Sequence, residues 1–456
     1  MKTILSMDPV MKMACPPQRA TPDAGFRLSS VCLSVPCQDG TLLYNNLTGE
    51  LLLLTQEETA QLESSQALRK TLAEKWFLVP ARFSEIDHVE QVRGISALLA
   101  QPTDHFRHFL IFPTTDCNAR CFYCYELGGT RKTMTEETAR DVARYIIEKC
   151  KGNPVILRWF GGEPLYNSRA IDIITEELRS AGIYYRSNIL TNGYLISEEI
   201  ADKIQKDWNT FSVQITLDGT EAVYNRTKAY YRCTDNAFLR VMDNIERLLV
   251  RKVGLHIRLN MDSNNAEDLK RLIQELAQRF GSYETFSVYV APLRDWGQKI
   301  HDFASEEEGV ARMRELNRLI EDLLPSPDYF MVHNLPITRC MADNDAYVTI
   351  MPDGKLGKCE HCYDSDYIGS IYSKEIDQDM VNAFKKRTPP WEVCKHCVTY
   401  SHCIMLEKCA EGKLPCSRIV RECWRDNLRK KVLSTWRAYR KGIASDVKNE
   451  EPTPLC

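Results

Sequence analysis

No run of eighteen apolar residues occurs anywhere in the chain, so no transmembrane helix is predicted. The first stretch, Met1 to Pro17, carries Lys2 and Lys12 but no continuous apolar segment, so a secretory signal is not expected and the cytoplasm is the expected compartment. Charge of one sign is also lacking. The 59 Lys and Arg nearly balance the 62 Asp and Glu, for a formal net charge of -3, which argues against nucleic acid or an anionic membrane as the main partner. What the chain does have is cysteine, 18 in 456 residues. In a protein of the reducing cytoplasm, clustered cysteines read as metal ligands rather than disulfides. The length predicts two or three domains.

Three of the cysteines stand in one short stretch. Cys117, Cys121 and Cys124 have C-x3-C-x2-C spacing directly after the apolar run Phe109, Leu110, Ile111 and Phe112, which reads as a buried strand. The next cysteine, Cys150, falls on a predicted helix at a core position, so this loop offers three thiolates and no fourth. A closed zinc site wants four ligands. An iron-sulfur cubane held by three thiolates instead keeps one iron open for a small molecule. With Tyr123 before the third cysteine, the loop resembles that of the radical S-adenosylmethionine (SAM) superfamily. The resemblance implies that the SAM amine and carboxylate chelate the open iron and that backbone near Tyr123 meets the adenine. It also implies reductive cleavage of SAM to methionine and a 5'-deoxyadenosyl radical.

From about His105 to Ala291 strand and helix patterns alternate, with strands expected at 109–113, 155–160, 184–190, 211–217, 255–261 and 285–290. Six such units predict an α/β fold, a partial (β/α)6 TIM-like barrel over residues 101–327, with its chemistry at the carboxyl ends of the strands. The second strand runs into Gly161-Gly162-Glu163-Pro164, where the glycines permit close backbone approach and the proline stiffens the turn. This string resembles the family motif that holds the SAM amino group, with Glu163 orienting it; an acid at a helix start is the plainer reading. Thr191 and Asn192 after the third strand, and Gln214 and Asp218 on the fourth, resemble segments lining the SAM ribose and the substrate. Of the cations Arg226, Lys228 and Arg232, Arg226 is the expected partner of the SAM carboxylate, against the alternative of a solvated loop.

The flanking regions divide as follows. Residues 1–24, rich in proline, are expected to be a flexible N-terminus. Residues 25–100 read as a small α+β winged-helix-like module, with strands near 31–35, 41–44 and 51–54 and a capping box at Thr55 and Glu58. The module resembles those that bind the leader of a precursor peptide as an added strand; a simple cap on the barrel is the alternative. Residues 328–444 hold nine cysteines between Cys340 and Cys423 and resemble the SPASM domain, which carries two auxiliary clusters. The resemblance implies Cys340, Cys359 and Cys409 on the first, with Cys362 as fourth ligand or an iron left open. It implies Cys394, Cys397, Cys403 and Cys423 on the second, with Cys416 the rival of Cys423. Glu407 stands where the family usually has a cysteine. Structural zinc is the competing reading, and His361, His396 and His402 are expected to be exposed. Glu360 matches an acid that serves as a base in related sulfatase maturases. A helix at 417–441 is expected to pack across this region, and residues 445–456 to be a disordered tail.

The expected protein is therefore a radical SAM/SPASM peptide maturase with SAM and three 4Fe-4S clusters. It would abstract hydrogen from a ribosomally made precursor peptide with a leader and install a crosslink, first a thioether, otherwise a C-C or C-O bond. A reductant such as flavodoxin or ferredoxin is implied. The alternatives are an anaerobic sulfatase-maturating enzyme forming formylglycine and a non-catalytic iron-sulfur or zinc-binding scaffold.

Overall fold

The computed structural model describes residues 1–7, 9–16, 25–99, 105–126, 129–231, 235–293, 305–324, 340–361, 366–373, 375–403, 406–409 and 416–442. The chain divides into two compact units. The first joins Met1–Pro102 with Asp328–Cys340 and Arg387–Cys456; the second joins Thr103–Pro327 with Met341–Lys386.

The first unit begins with β1 (Lys2–Leu5) and α1 (Pro9–Ala14), where a flexible terminus was expected. The proline content misleads here for a physical reason. Pro9 occupies the first helical position, where a missing N–H costs nothing, and Pro16 lies beyond the helix end. Met11 and Cys15 are buried with Val31, Leu47, Val89 and Val92, and β1 pairs antiparallel with a later strand, Lys2 opposite Leu53. Next come β2 (Phe26–Leu28), β3 (Cys32–Cys37), β4 (Gly40–Asn45), β5 (Leu51–Leu54), α2 (Gln56–Ala60), α3 (Gln66–Glu74), β6 (Leu78–Pro80) and α4 (Glu85–Leu99). Four of these strands form an antiparallel sheet in the order β1-β5-β4-β3. The predicted capping box is present at α2: Glu58 N–H donates to Thr55 Oγ1 at 3.2 Å, and Thr55 N–H to Glu58 Oε2 at 2.9 Å.

The second unit is built on six parallel strands in sequential order, β7 (His108–Thr114), β8 (Val155–Gly161), β9 (Tyr185–Thr191), β10 (Thr210–Leu217), β11 (Gly254–Met261) and β12 (Phe286–Pro292). Each of the six expected strands is found within two residues of its predicted start and end. The connecting helices are α5 (Glu136–Cys150), α6 (Ser168–Ser180), α7 (Glu198–Lys206), α8 (Glu221–Lys228), α9 (Ala237–Val250) and α10 (Ala266–Phe280), with α11 (Glu306–Leu323) after the last strand. Along α5 the residues Ala139, Val142, Ala143, Ile146 and Cys150 are fully buried, so Cys150 is a core thiol as its spacing predicts.

Alternation along the strands separates two faces. Val213, Ile215, Leu217, Leu255, Ile257 and Leu259 are fully buried. The residues between them, among them Gln214, Thr216, His256 and Arg258, are polar and half-buried. The Tyr289 hydroxyl on β12 donates to Gln214 Oε1 on β10 at 2.8 Å, reaching across β11, so the polar face is concave. This is a mixed α/β fold around a central parallel sheet, as a partial barrel requires.

Past β7 the same sheet continues with β13 (Tyr347–Ile350), parallel to it, and then β14 (Lys355–Gly357) and β15 (Gly369–Ser370), both antiparallel to their neighbours. α12 (Gln378–Lys385) follows. The last helix, α13 (Arg418–Arg440), belongs to the first unit. Its Val432 and Trp436 pack with Leu33, Val35, Leu42 and Tyr44. The helix therefore covers the apolar face of the N-terminal sheet together with Val398 of the cysteine-rich segment, a cover worth about 1.5–3 kcal/mol per large side chain.

Candidate active site

The Cys117–Cys124 loop leaves the carboxyl end of β7 and is fastened at several points. Cys117 N–H donates to Asp116 Oδ1 at 2.8 Å, Thr114 Oγ1 donates to the Lys132 carbonyl at 2.9 Å, and Arg120 N–H donates to the Lys228 carbonyl at 2.8 Å. The three thiols are half-buried and near enough for their charges to act on one another. Burial pushes Cys117 up to about 12 and Cys124 to about 11, and it raises Cys121 as well. Left to themselves these thiols stay protonated; a bound metal supplies the charge that makes thiolates of them. Ala119 N–H donates to Cys117 Sγ at 3.4 Å, and Asn192 Nδ2 stands 3.8 Å from the same sulfur. Three thiols with N–H donors aimed at sulfur fit an iron-sulfur cluster with one iron left open.

Gly161 and Gly162 are required by the packing of the chain itself. Gly161 has φ of 120°, and a Cβ there would lie 2.3 Å from the Thr114 carbonyl oxygen; at Gly162 a Cβ would lie 2.4 Å from that of Asp116. The glycines let the end of β8 close on the root of the cysteine loop, where Glu163 N–H donates to the Asp116 carbonyl at 2.9 Å. The Glu163 side chain is fully buried and accepts from Leu165 N–H at 3.1 Å, Thr191 Oγ1 at 2.7 Å and Asn192 N–H at 2.7 Å. Glu163, Pro164, Thr191 and Asn192 thus form one assembly joining the ends of β8 and β9.

Burial raises the Glu163 carboxyl from 4.5 to about 7, against the lowering effect of its three donors. A carboxyl raised on folding favours the folded state below pH 4.5, and that advantage disappears as pH rises through 7. The wild type should therefore lose up to about 3 kcal/mol over this window that Glu163→Gln does not lose. Urea titrations of both proteins at pH 5 and pH 7.5, without SAM, check this.

A buried charged group closes the other side of the loop. Lys228 Nζ lies 3.0 Å from Asp218 Oδ2, with side chains 4% and 2% exposed. The Tyr123 hydroxyl donates to Asp218 Oδ1 at 2.8 Å and accepts from Lys228 Nζ at 3.0 Å, and Asn260 Nδ2 donates to Asp218 Oδ1 at 3.0 Å. Burial works against the Lys228 ammonium, but Asp218 outweighs it and holds the lysine well above its usual range. Burial, with Asp218 beside it, keeps Tyr123 protonated as a donor. Arg226, the expected carboxylate partner, is exposed on α8; Lys228, two residues on, is the buried cation. Burial is the signal that separates them, and it is not readable from residue type. Tyr230, which no sequence motif marks, lies tilted against Tyr194 with ring centres 4.8 Å apart and shares a 2.9 Å hydrogen bond with Tyr224.

Glu360 follows β14 and its side chain is 13% exposed. Its neighbour His361 packs edge-on against Tyr125, 4.5 Å between ring centres, so this acid is brought beside the end of the cysteine loop. His361 and His402 are half-buried rather than exposed, and only His396 stands in solvent as expected. The His402 ring lies 2.6 Å from the Asn46 carbonyl, and burial lowers its pKa to about 4.

Of the C-terminal cysteines, Cys394, Cys397 and Cys403 pack around one cluster with Tyr400, Met11 and Cys15. Arg93 on α4 holds this segment: its guanidinium donates to the carbonyls of Tyr400 at 2.5 Å, Ser401 at 2.8 Å and Cys403 at 3.0 Å. Cys423 is buried on α13, Cys416 lies just before that helix, and Cys409 is half-buried. Cys340 and Cys409 belong to the first unit and Cys359 to the second. Cys362 lies outside the described residues, as do residues 445–456. Arg93→Ala strips three buried carbonyls of a charged donor and should cost about 2–4 kcal/mol. Thermal denaturation, with iron content of the reconstituted variant beside wild type, checks it.

Residues 111–276 match the model of the Radical SAM superfamily. Over that stretch the chain is similar to that superfamily. The three thiols Cys117, Cys121 and Cys124 are the donors that a 4Fe-4S cluster of that superfamily would need. An uncharacterized protein of Methanocaldococcus jannaschii is 32% identical over 122 residues, 26% of this chain and 41% of that protein. The radical SAM cyclopropyl synthase TigE of Paramaledivibacter caminithermalis is 24% identical over 174 residues, 32% of this chain and 34% of TigE. The chain thus spans less than half the length of either relative. In fold it is similar to anSMEcpe with bound AdoMet and Kp18Cys peptide, at 16% identity and a TM-score of 0.56, over 73% of this chain and 99% of that one. Among the described residues no helix is long and apolar enough to cross a membrane.

Proposed function

We propose that this radical SAM enzyme is a maturase of a ribosomally made peptide, which it crosslinks within the chain, by a thioether in the first instance and otherwise by a C-C or C-O bond. The observation that carries the reading is the presence, in one chain, of the three-thiol loop closed by Gly161 to Glu163 and of an N-terminal antiparallel sheet that belongs to a different compact unit from that loop. SAM cleavage alone has no need of that module. Residues 25–100 are its leader-binding part, by strand addition. Residues 328–444 are proposed to hold two auxiliary clusters on the cysteines named above. That anSMEcpe shares the fold and carries a bound peptide supports a peptide substrate here.

When bound, the cluster and SAM supply a 5'-deoxyadenosyl radical that takes one hydrogen atom from the substrate. The protein's share is positioning. Glu163 ties the ends of β8 and β9 beneath the loop, Lys228 and Asp218 fix Tyr123 at its far side, and Glu360 is the proposed base. The reductant is proposed to be a flavodoxin or ferredoxin.

The test is anaerobic incubation of the reconstituted enzyme with SAM, dithionite and a precursor peptide encoded beside its gene. A peptide lighter by two hydrogen atoms, formed with deoxyadenosine, is the expected product. Glu360→Gln should still form deoxyadenosine while losing the crosslink. Formylglycine formed on a sulfatase peptide would instead establish the sulfatase-maturase reading, and absence of deoxyadenosine would leave a scaffold.

A further inference from the structure

Among the described residues, the concave face of the sheet has more positive charge than acids to balance it. Strand register identifies what lies on it, because residues paired across parallel strands point to the same side. Arg158 pairs with Asn188, and Asn188 with Ser212, which shares a face with Gln214. Arg258 pairs with Tyr289, whose hydroxyl reaches Gln214. Arg158 and Asn188 therefore face the same concavity as Gln214, Arg258 and Tyr289.

Arg158 is 7% exposed and, among the described residues, has no hydrogen bond or ion pair. Asn188 is buried beside it, and its Oδ1 likewise has no hydrogen-bond partner. Arg258 donates to Asn260 Oδ1 at 2.9 Å and has no carboxylate partner among the described residues. Asp218, which follows β10 on this face, is already neutralised by Lys228. A guanidinium with no carboxylate of its own presents a planar fork of donors that matches one. Arg158 lies three residues before Gly161, about 10 Å along the strand from the end where the thiol loop sits. The carboxylate it awaits thus reaches deeper than the loop, where Lys228 is the cation.

We propose that the concave face binds a carboxylate on Arg158, with Arg258 adding to the field, and that this carboxylate is an acidic side chain of the substrate peptide. The proposal rests on the peptide-maturase reading and narrows it to peptides with an Asp or Glu near the modified residue. SAM carries the same group, so the test must separate the two sources.

Two isotopically distinguished pools of synthetic, C-terminally amidated, cysteine-containing peptides serve as probes, identical except for Glu in one and Gln in the other at a single scanned position. They compete for the SAM-bound, cluster-loaded enzyme, and the retained peptides are weighed by mass spectrometry. Wild type should retain the best Glu pool about tenfold over its Gln twin. Arg158→Gln should bring the ratio to about one, and Arg158→Lys should keep part of it. A wild-type ratio of one overturns the inference without recourse to any variant. So does an unchanged ratio in Arg158→Gln; if the SAM Kd of that variant rises about tenfold at the same time, Arg158 belongs to the methionyl carboxylate. Retention of both pools alike sinks the carboxylate site and leaves the peptide reading standing, whereas retention of neither sinks both.

Discussion

Replacing Cys117, Cys121 and Cys124 together with alanine should remove about four irons per chain from the anaerobically reconstituted protein and abolish deoxyadenosine formation. The fold should survive, because these side chains are half-buried on a loop held by other groups: Asp116, Thr114 and the Lys228 carbonyl carry the fastening hydrogen bonds. Iron and sulfide analysis of wild type and variant, side by side, makes the measurement. If both auxiliary clusters are present, the wild type holds about twelve irons and the variant about eight. About four falling to none, with zinc in what remains, would keep the radical site and remove the auxiliary clusters. Deoxyadenosine retained by the variant would remove the loop from the chemistry altogether.

The parts of the protein that were legible in sequence are those governed by local rules. β7 to β12 were readable because each is a run of five to eight residues bounded by helix starts and turns, and the thiol loop because its spacing leaves few chemistries open. β13, β14 and β15 were missed, since strands of two to four residues carry almost no alternation; they exist because β7 offers them an edge to pair with. The contact of α13 with the cysteine-rich segment was readable, but the N-terminal sheet as its larger partner was not, because an apolar stripe says only that something must cover it. Residues 1–14 were misjudged by weighing proline content without its position. In the site, Arg226 and Lys228 are equal on composition. The face of α8 that buries Tyr224 one turn earlier is what turns Lys228 inward, while Arg226 lies off that face. Glu163 was recognised as a residue of the motif, yet its three donors come from two different strand ends and could be found only in three dimensions.

That inward turn makes Lys228 the residue whose loss should be felt most in the folded state. Lys228→Met removes one member of a buried pair and leaves Asp218, 1% exposed, with Tyr123 and Asn260 as its remaining donors. An uncompensated buried charge of this kind costs about 3–5 kcal/mol. Asp218→Asn should cost a comparable amount by stranding the ammonium. The double variant should cost less than the sum of the two, since neither charge is then left alone. The lysine titrates well above its usual range, so its contribution is fully present across neutral pH and would fade only at strongly alkaline pH. Substitution, not titration, is therefore the useful probe. Denaturant unfolding of the four proteins of this cycle, at one neutral pH, gives the coupling energy. Full additivity would mean that the pair is incidental to the fold. A large coupling with normal iron content but weakened SAM binding would instead show that the pair sets the position of Tyr123 and, through it, the far wall of the cofactor site.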